Sequence, residues 1–215
     1  MFRDRQHAGE LLAAHLNGYQ GWPNTLLLAL PRGGVPVAAV LAHSLGLPLD
    51  VLPVHKLGSP DQPEFAIGAI AEGVVVFHQD AIDRLHIPQS IIDATIARER
   101  EELLRRERAY RGARPPLVLA GLTVILVDDG LATGYTMLAA IRAVRVQNPA
   151  RVVVAVPIAP SETLDLLRRE ADEIVCAHTP RELFAIGQFY QDFRQTTDDQ
   201  VREALREFAT GPAAL

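Results

Sequence analysis

Residues 122–137 read LTVILVDDGLATGYTM and set two carboxylates, Asp128 and Asp129, between an apolar run and a glycine-bearing turn. Residues 124–127 read as a buried strand, the acids as its end, 130–134 as a tight loop, and Thr136 as the opening of a helical pattern. Gly130 and Gly134 permit positive φ and close backbone approach. Amides around Ala132–Tyr135 at a helix N-terminus favour an anion, and Thr133 and Thr136 add hydroxyl donors. Such a loop can hold a phosphate. Two carboxylates beside it would repel that phosphate unless they face something in between: the hydroxyls of a sugar, or a Mg²⁺ ion. The combination suits a phosphorylated sugar. An Asp-Gly turn alone is common and says nothing; four apolar residues, two acids and G-x-A-T-G-x-T say more. The pattern is neither G-x-x-x-x-G-K-[ST] nor the dinucleotide G-x-G-x-x-G.

The elements around this motif alternate. The patterns predict helices over 2–16, 35–45, 90–110, 136–146, 161–170 and 198–208, the last capped by Thr197 or Asp198. Strands are predicted over 26–30, 49–54, 123–127, 152–156 and 174–176, and a hairpin from 65–70 and 74–77 around Ala71-Glu72-Gly73. Continuous apolar strands separated by helices predict an α/β fold, an open parallel sheet flanked by helices. Ligands of such sheets bind beyond the carboxyl ends of the strands. Three predicted strand ends carry suggestive residues: Pro31-Arg32-Gly33-Gly34, His55-Lys56-Leu57-Gly58 and Asp128-Asp129-Gly130. A parallel sheet brings all three to one edge.

The 215-residue length suits one large domain or a domain with a small appendage. A net charge of -5 argues against a nucleic-acid partner, and no apolar run is long enough to span a membrane. The opening MFRDRQHAGE lacks a signal-peptide core, which leads to the expectation of a cytoplasmic protein. The single cysteine, Cys176, lies in EIVCA and reads as a small buried hydrophobe. The segment REREELLRRER alternates acids and bases as a solvated helix face does. The seven histidines show no zinc-ligand spacing. Of 21 basic residues only Lys56 is lysine. It is either a compact ammonium wanted for a phosphate or a surface residue kept by chance.

VILVDDGLATGYT resembles the phosphoribosyl pyrophosphate signature of type I phosphoribosyltransferases. PRGGVPVA, VHKLGSPDQPEFAIGAIAEG and FYQDF extend the likeness to a stand-alone bacterial group of that family, from FRDRQHAGELLA onward. The resemblance implies a single domain over 1–215, with a core at roughly 20–178, a hairpin insertion, and a small hood built from the N-terminal helix and 179–215. It assigns the ribose hydroxyls to Asp128 and Asp129, which are also the candidate Mg²⁺ ligands. It assigns the sugar phosphate to Gly130, Ala132, Thr133, Gly134, Tyr135 and Thr136, with the Tyr135 side chain turned away. Pyrophosphate falls to Arg32, Gly33 and Gly34, in a loop that often carries a strained peptide, and to Lys56. Asp128, Asp129 and Lys56 are the implied catalytic residues. The group often has arginine where this chain has His55. Glu64 either binds Mg²⁺ or orients Lys56, or is an exposed loop acid, and Gly68 implies close approach of ligand or backbone. Phe189, Tyr190, Asp192 and Phe193 either pack the hood or line a base pocket. The implied activity is transfer of phosphoribose to a purine, pyrimidine or related nitrogen base with Mg²⁺ as cofactor. The partners would then be phosphoribosyl pyrophosphate and a base, with neither nucleic acid nor membrane; a homodimer is the family's common assembly. The alternative is a non-catalytic sensor of phosphoribosyl pyrophosphate.

Overall fold

A computed structural model describes residues 1–59, 66–112 and 114–208. Five parallel strands form the main sheet: β1 (Thr25–Ala29), β2 (Leu49–Val51), β6 (Thr123–Val127), β7 (Arg151–Ile158) and β8 (Glu173–His178), in the order β2-β1-β6-β7-β8. Their sequences are apolar throughout because both faces are covered. Alternation sorts the side chains into two cores. Leu28, Val124, Leu126, Val154 and Val156 pack with Met137, Ala140 and Ile141 of α5 (Tyr135–Val146). Leu27, Ala29, Ile125, Val127, Val153 and Ala155 pack with Val37, Ala38 and Leu41 of α2 (Gly34–Leu45), over which α1 (Arg5–Ala14) lies. The expected open parallel sheet flanked by helices is therefore the fold.

A second sheet, antiparallel, contains β3 (His55–Gly58), β4 (Ala66–Ala71) and β5 (Val74–Phe77) in that order. The β4–β5 turn lies where the hairpin was expected. The expected strand over 49–54 is shorter: β2 ends at Val51, ahead of Pro53, which has no N–H to give a ladder. His55-Lys56-Leu57-Gly58 consequently is not the loop beyond β2. It is itself a strand, paired with β4 through His55 and Ile70. Cβ at Gly68 would meet the Val76 carbonyl oxygen at 2.3 Å, so the close approach at this glycine comes from backbone.

A short helix, α3 (Gln79–Leu85), was not expected; its seven residues are too few for a clear period. The long charged helix α4 spans Gln89–Arg111, with Glu102 bonded to Arg105 and Arg106 on its surface. Its last residue is buried against β2, Arg111 Nε lying 3.2 Å from Asp50 Oδ1. Helix α6 (Ser161–Leu167) and helix α7 (Asp198–Glu207) follow, the latter with a capping box between Thr197 and Gln200. Cys176 is half-buried on the edge strand β8 rather than fully buried, its thiol pKa raised by desolvation.

The chain's two end segments meet. Phe2 N–H donates to the Phe189 carbonyl, Gln191 N–H to Phe2, and Asp192 N–H to Arg3. Phe2, Tyr190, Phe189, Phe193 and Ile158 form a small core of their own beside the sheet's carboxyl edge. Among the described residues no helix is long and apolar enough to cross a membrane.

Candidate active site

The site forms where β1 and β6 end side by side, the Leu30 N–H donating to the Val127 carbonyl at 2.8 Å. Each strand is followed by a glycine loop and then a helix. After β1, Gly33 caps α2 and Gly34 begins it. The Pro31–Arg32 peptide is cis. After β6 come Asp128 and Asp129, then Gly130 at φ 154°, and Gly134 at φ 79° capping α5. Neither glycine can be replaced cheaply. Cβ at Gly130 would fall 2.7 Å from Ile158 and Ile186, and Cβ at Gly134 2.7 Å from Thr163.

The two loops touch. Cβ built on Gly33 would stand 2.1 Å from Asp129 Oδ2, and on Gly34 2.5 Å from the Val127 carbonyl and 2.9 Å from Asp128 Cα. The structure thus brings Gly33 and Gly34 against Asp128 and Asp129, as one sheet edge requires, while the Arg32 side chain of the same loop reaches Asp198. The first turn of α5 leaves backbone N–H groups without helical partners here. Ala132 and Thr133 are exposed on the intervening loop, while Thr163 donates from α6 to the Ala132 carbonyl at 2.5 Å. Ala132, Thr133 and Tyr135 border a cavity of about 280 Å³ with Glu162, Thr163 and Leu166. The Tyr135 ring stacks on His78, 4.5 Å between centroids, and so packs against the chain leading into α3.

The acids are poorly solvated. Burial raises the Asp128 pKa well above the ordinary carboxylate value, and the neighbouring Asp129 charge adds to this. Burial also raises Asp129, opposed by Arg5 through charge and hydrogen bond. The Asp129 N–H donates to Asp128 Oδ1 at 2.8 Å. Asp128 and Asp129 are hard oxygen donors, and among the described residues they join no cluster of three or more acids, histidines or cysteines. Such a pair fits Mg²⁺, which is held through one or two carboxylates together with substrate phosphates.

Three residues that engage this region, Arg5, Tyr110 and Asp198, carried no sequence signal for a site. Arg5 Nε donates to Asp129 Oδ2 at 2.7 Å, and the Tyr190 hydroxyl donates to the Asp129 carbonyl at 2.7 Å. Arg32 Nη1 lies 3.4 Å from Asp198 Oδ1, which also accepts from the Tyr110 hydroxyl at 2.7 Å. These partners lie 61 to 166 residues apart in sequence, beyond any local spacing rule.

The remaining expected residues sit elsewhere. Lys56 is exposed on β3 and lines a cavity of about 420 Å³ with Ser59 and with Thr95, Arg98 and Glu99 of α4; no residue of the two glycine loops lines it. His55 is buried, its Nδ1 3.1 Å from Glu99 Oε2 and its Nε2 without a hydrogen-bond partner among the described residues. Glu64 lies outside the described residues. Of its two expected roles Tyr190 takes the packing one: it is buried between Phe2 and Phe193, its ring enclosed and its hydroxyl engaged, which does not fit a base-lining role. Asp192 pairs with Arg194 at 2.6 Å, and the half-buried Phe189 packs on His178.

The chain is similar to known proteins in sequence and in fold. The Mycobacterium tuberculosis (strain H37Rv) protein named "Putative phosphoribosyl transferase Rv0571c" is 44% identical over 218 residues, covering 99% of this chain and 49% of that protein. The chain spans about half the length of the curated relatives it matches. The crystal structure of TT1426 from Thermus thermophilus matches with a TM-score of 0.79 at 44% identity, over 97% of this chain and 99% of that one. The AQ2163 protein from Aquifex aeolicus, 13% identical, shares the fold with a TM-score of 0.52 over 94% of this chain and 82% of its own. Residues 4–188 match the family model described as phosphoribosyl transferase domain, and the chain belongs to that family.

Proposed function

We propose that this chain is a phosphoribosyltransferase that joins the phosphoribosyl group of phosphoribosyl pyrophosphate to a ring nitrogen of a purine, pyrimidine or related base. The observation that carries the reading is the contact between the two loops, Gly33 lying so near Asp129 that no Cβ fits between them. A loop for a sugar phosphate, a pair of acids for the ribose and a loop for a diphosphate are then contiguous, in the order in which the metabolite presents those groups.

The nitrogen forms a bond to the anomeric carbon as the bond from that carbon to the pyrophosphate oxygen breaks. The electron pair leaves with pyrophosphate, and the base nitrogen gives up its proton to solvent water. The centre passes through an oxocarbenium-like state, as glycosides do. Asp128 and Asp129 hold the ribose hydroxyls and set negative charge near that developing positive charge. The first-turn amides of α5, with Thr133 and Thr136, hold the 5-phosphate. Arg32, the amides of Gly33 and Gly34, and Lys56 take the charge that grows on the departing diphosphate. For Lys56 this requires the β3 strand and the sheet edge to close on the same ligand. When bound, Mg²⁺ supplies further positive charge at the diphosphate, with Asp128 and Asp129 as the residues that would hold it. The hood segment with Phe189 and Asp192 borders the place of the base.

Pyrophosphate release from phosphoribosyl pyrophosphate and Mg²⁺, screened over a panel of bases, tests the reading. Release that depends on one class of base is the expected result. Tight uptake without release for any base would replace the enzyme with a sensor, and no uptake would sink both.

A further inference from the structure

Arg5 opens α1, on a segment whose sequence offers no reason to place it in a site. Its guanidinium is nevertheless fixed on three sides. Nε donates to Asp129 Oδ2 at 2.7 Å, Nη1 donates to the Arg194 carbonyl at 2.7 Å, and the guanidinium carbon lies 4.0 Å from the centre of the Phe193 ring. The side chains of the ion pair are only 12% and 11% exposed. A planar fork meets these three demands together, whereas an ammonium meets one of them.

Asp129 is thus held at both ends: Arg5 grips its carboxylate, and the Tyr190 hydroxyl bonds its carbonyl. Both partners come from segments outside the main sheet, the start of the chain and the tail, which are themselves bonded together through Phe2, Phe189 and Gln191. Stability alone is a weak reason for such a pair, because removing two charges from water offsets most of their attraction. Orientation is the stronger reason. With Oδ2 occupied by Arg5, the carboxylate is locked about its last torsion, a rotation that is otherwise soft.

We propose that Arg5 is a positioning residue: it locks the Asp129 carboxylate so that Oδ1 is the oxygen offered to the ribose. This rests on the phosphoribosyltransferase reading above. The same guanidinium that aims the acid also bonds the tail at Arg194 and stacks on Phe193.

The test compares Arg5→Gln, Arg5→Lys and Phe2→Leu with the wild-type chain. Calorimetry gives the affinity for phosphoribosyl pyrophosphate with Mg²⁺, kinetics give the KM of each substrate, and melting gives fold stability. Arg5→Gln is expected to weaken phosphoribosyl pyrophosphate about 10- to 100-fold, as losing the outer partner of a binding carboxylate does, with the KM of the base within about twofold. Arg5→Lys is expected to recover part of the loss, returning the charge but not the planar fork. Phe2→Leu loosens the same hood core without touching the ion pair; it should lower the melting temperature and leave phosphoribosyl pyrophosphate affinity within about twofold. Wild-type affinity in Arg5→Gln, or equal losses in Arg5→Gln and Phe2→Leu, would overturn the proposal alone. Absence of uptake by the wild-type chain would overturn the proposed function and this inference with it.

Discussion

Gly33 and Asp129 share a space that a single methyl group would fill: Cβ at residue 33 would stand 2.1 Å from Asp129 Oδ2. Gly33→Ala therefore forces the carboxylate out of its pairing with Arg5 or pushes the two loops apart. Overpacking of this kind costs about 1–3 kcal/mol. The expected result is a lower melting temperature together with weaker phosphoribosyl pyrophosphate binding. A variant with unchanged binding would show that the loops need not touch for function.

On the proposed reading, replacing both acids removes the carboxyl groups assigned to the ribose without changing side-chain volume. Asp128→Asn with Asp129→Asn is expected to lower kcat/KM by about 100-fold or more while circular dichroism stays that of the parent. Full pyrophosphate release by the double variant would refute their assignment.

Lys56 is the only lysine, and it lies on β3 rather than on either glycine loop. If its ammonium serves the diphosphate, Lys56→Ala weakens phosphoribosyl pyrophosphate about tenfold and ribose 5-phosphate much less. Paired titrations with the two ligands decide it. Equal effects on both would remove Lys56 from the diphosphate site and leave it to the cavity it shares with Arg98 and Glu99.

Stability should depend on pH through His55. Burial lowers its pKa, outweighing the hydrogen bond with Glu99. The folded chain then holds fewer protons than the unfolded one below the ordinary histidine value of about 6.5, so stability is full above that value and falls as pH drops below it. Glu99 acts in the same direction at lower pH. Its own burial opposes the shift, but hydrogen bonds from His55 and Arg98 bring its pKa below the ordinary carboxylate value, and that contribution disappears as the carboxylate protonates. Denaturant midpoints between pH 7.5 and 5.5 should slope in the wild type and flatten in His55→Gln. The same slope in both would assign the dependence elsewhere.

What the sequence made legible follows from how local each signal is. Strand β6 and its acids were readable because four apolar residues, two carboxylates and two glycines lie within a few positions, and each residue type has a separate physical reason to be there. The main sheet was readable because burial on both faces leaves runs such as ILV and VVVAV. The separate strand at 55–58 was not, because Leu52-Pro53-Val54 prolong the apolar run of β2, and the polar His55-Lys56 that follow read as the loop at its end. Arg5 was invisible for a different reason. Nothing near position 5 records a partner 124 residues away, and in a chain with 20 arginines one more cation carries no information. Tyr190 stayed open between two readings for a related reason, since an aromatic that closes a small core and one that stacks on a ligand have the same local pattern.

Alternation along β6 has one more implication. Ile125 and Val127 face the α2 side and Val124 and Leu126 the α5 side, and Asp129 carries on the odd-numbered series to reach Gly33 and Arg5. Deleting one residue of that strand would switch the residues beyond it to the opposite face of the sheet and turn the wrong member of the acidic doublet toward the α2 side, where the guanidinium waits. The parity of a five-residue strand thus chooses which aspartate acquires a counter-ion, a selection that neither aspartate could make from its own chemistry.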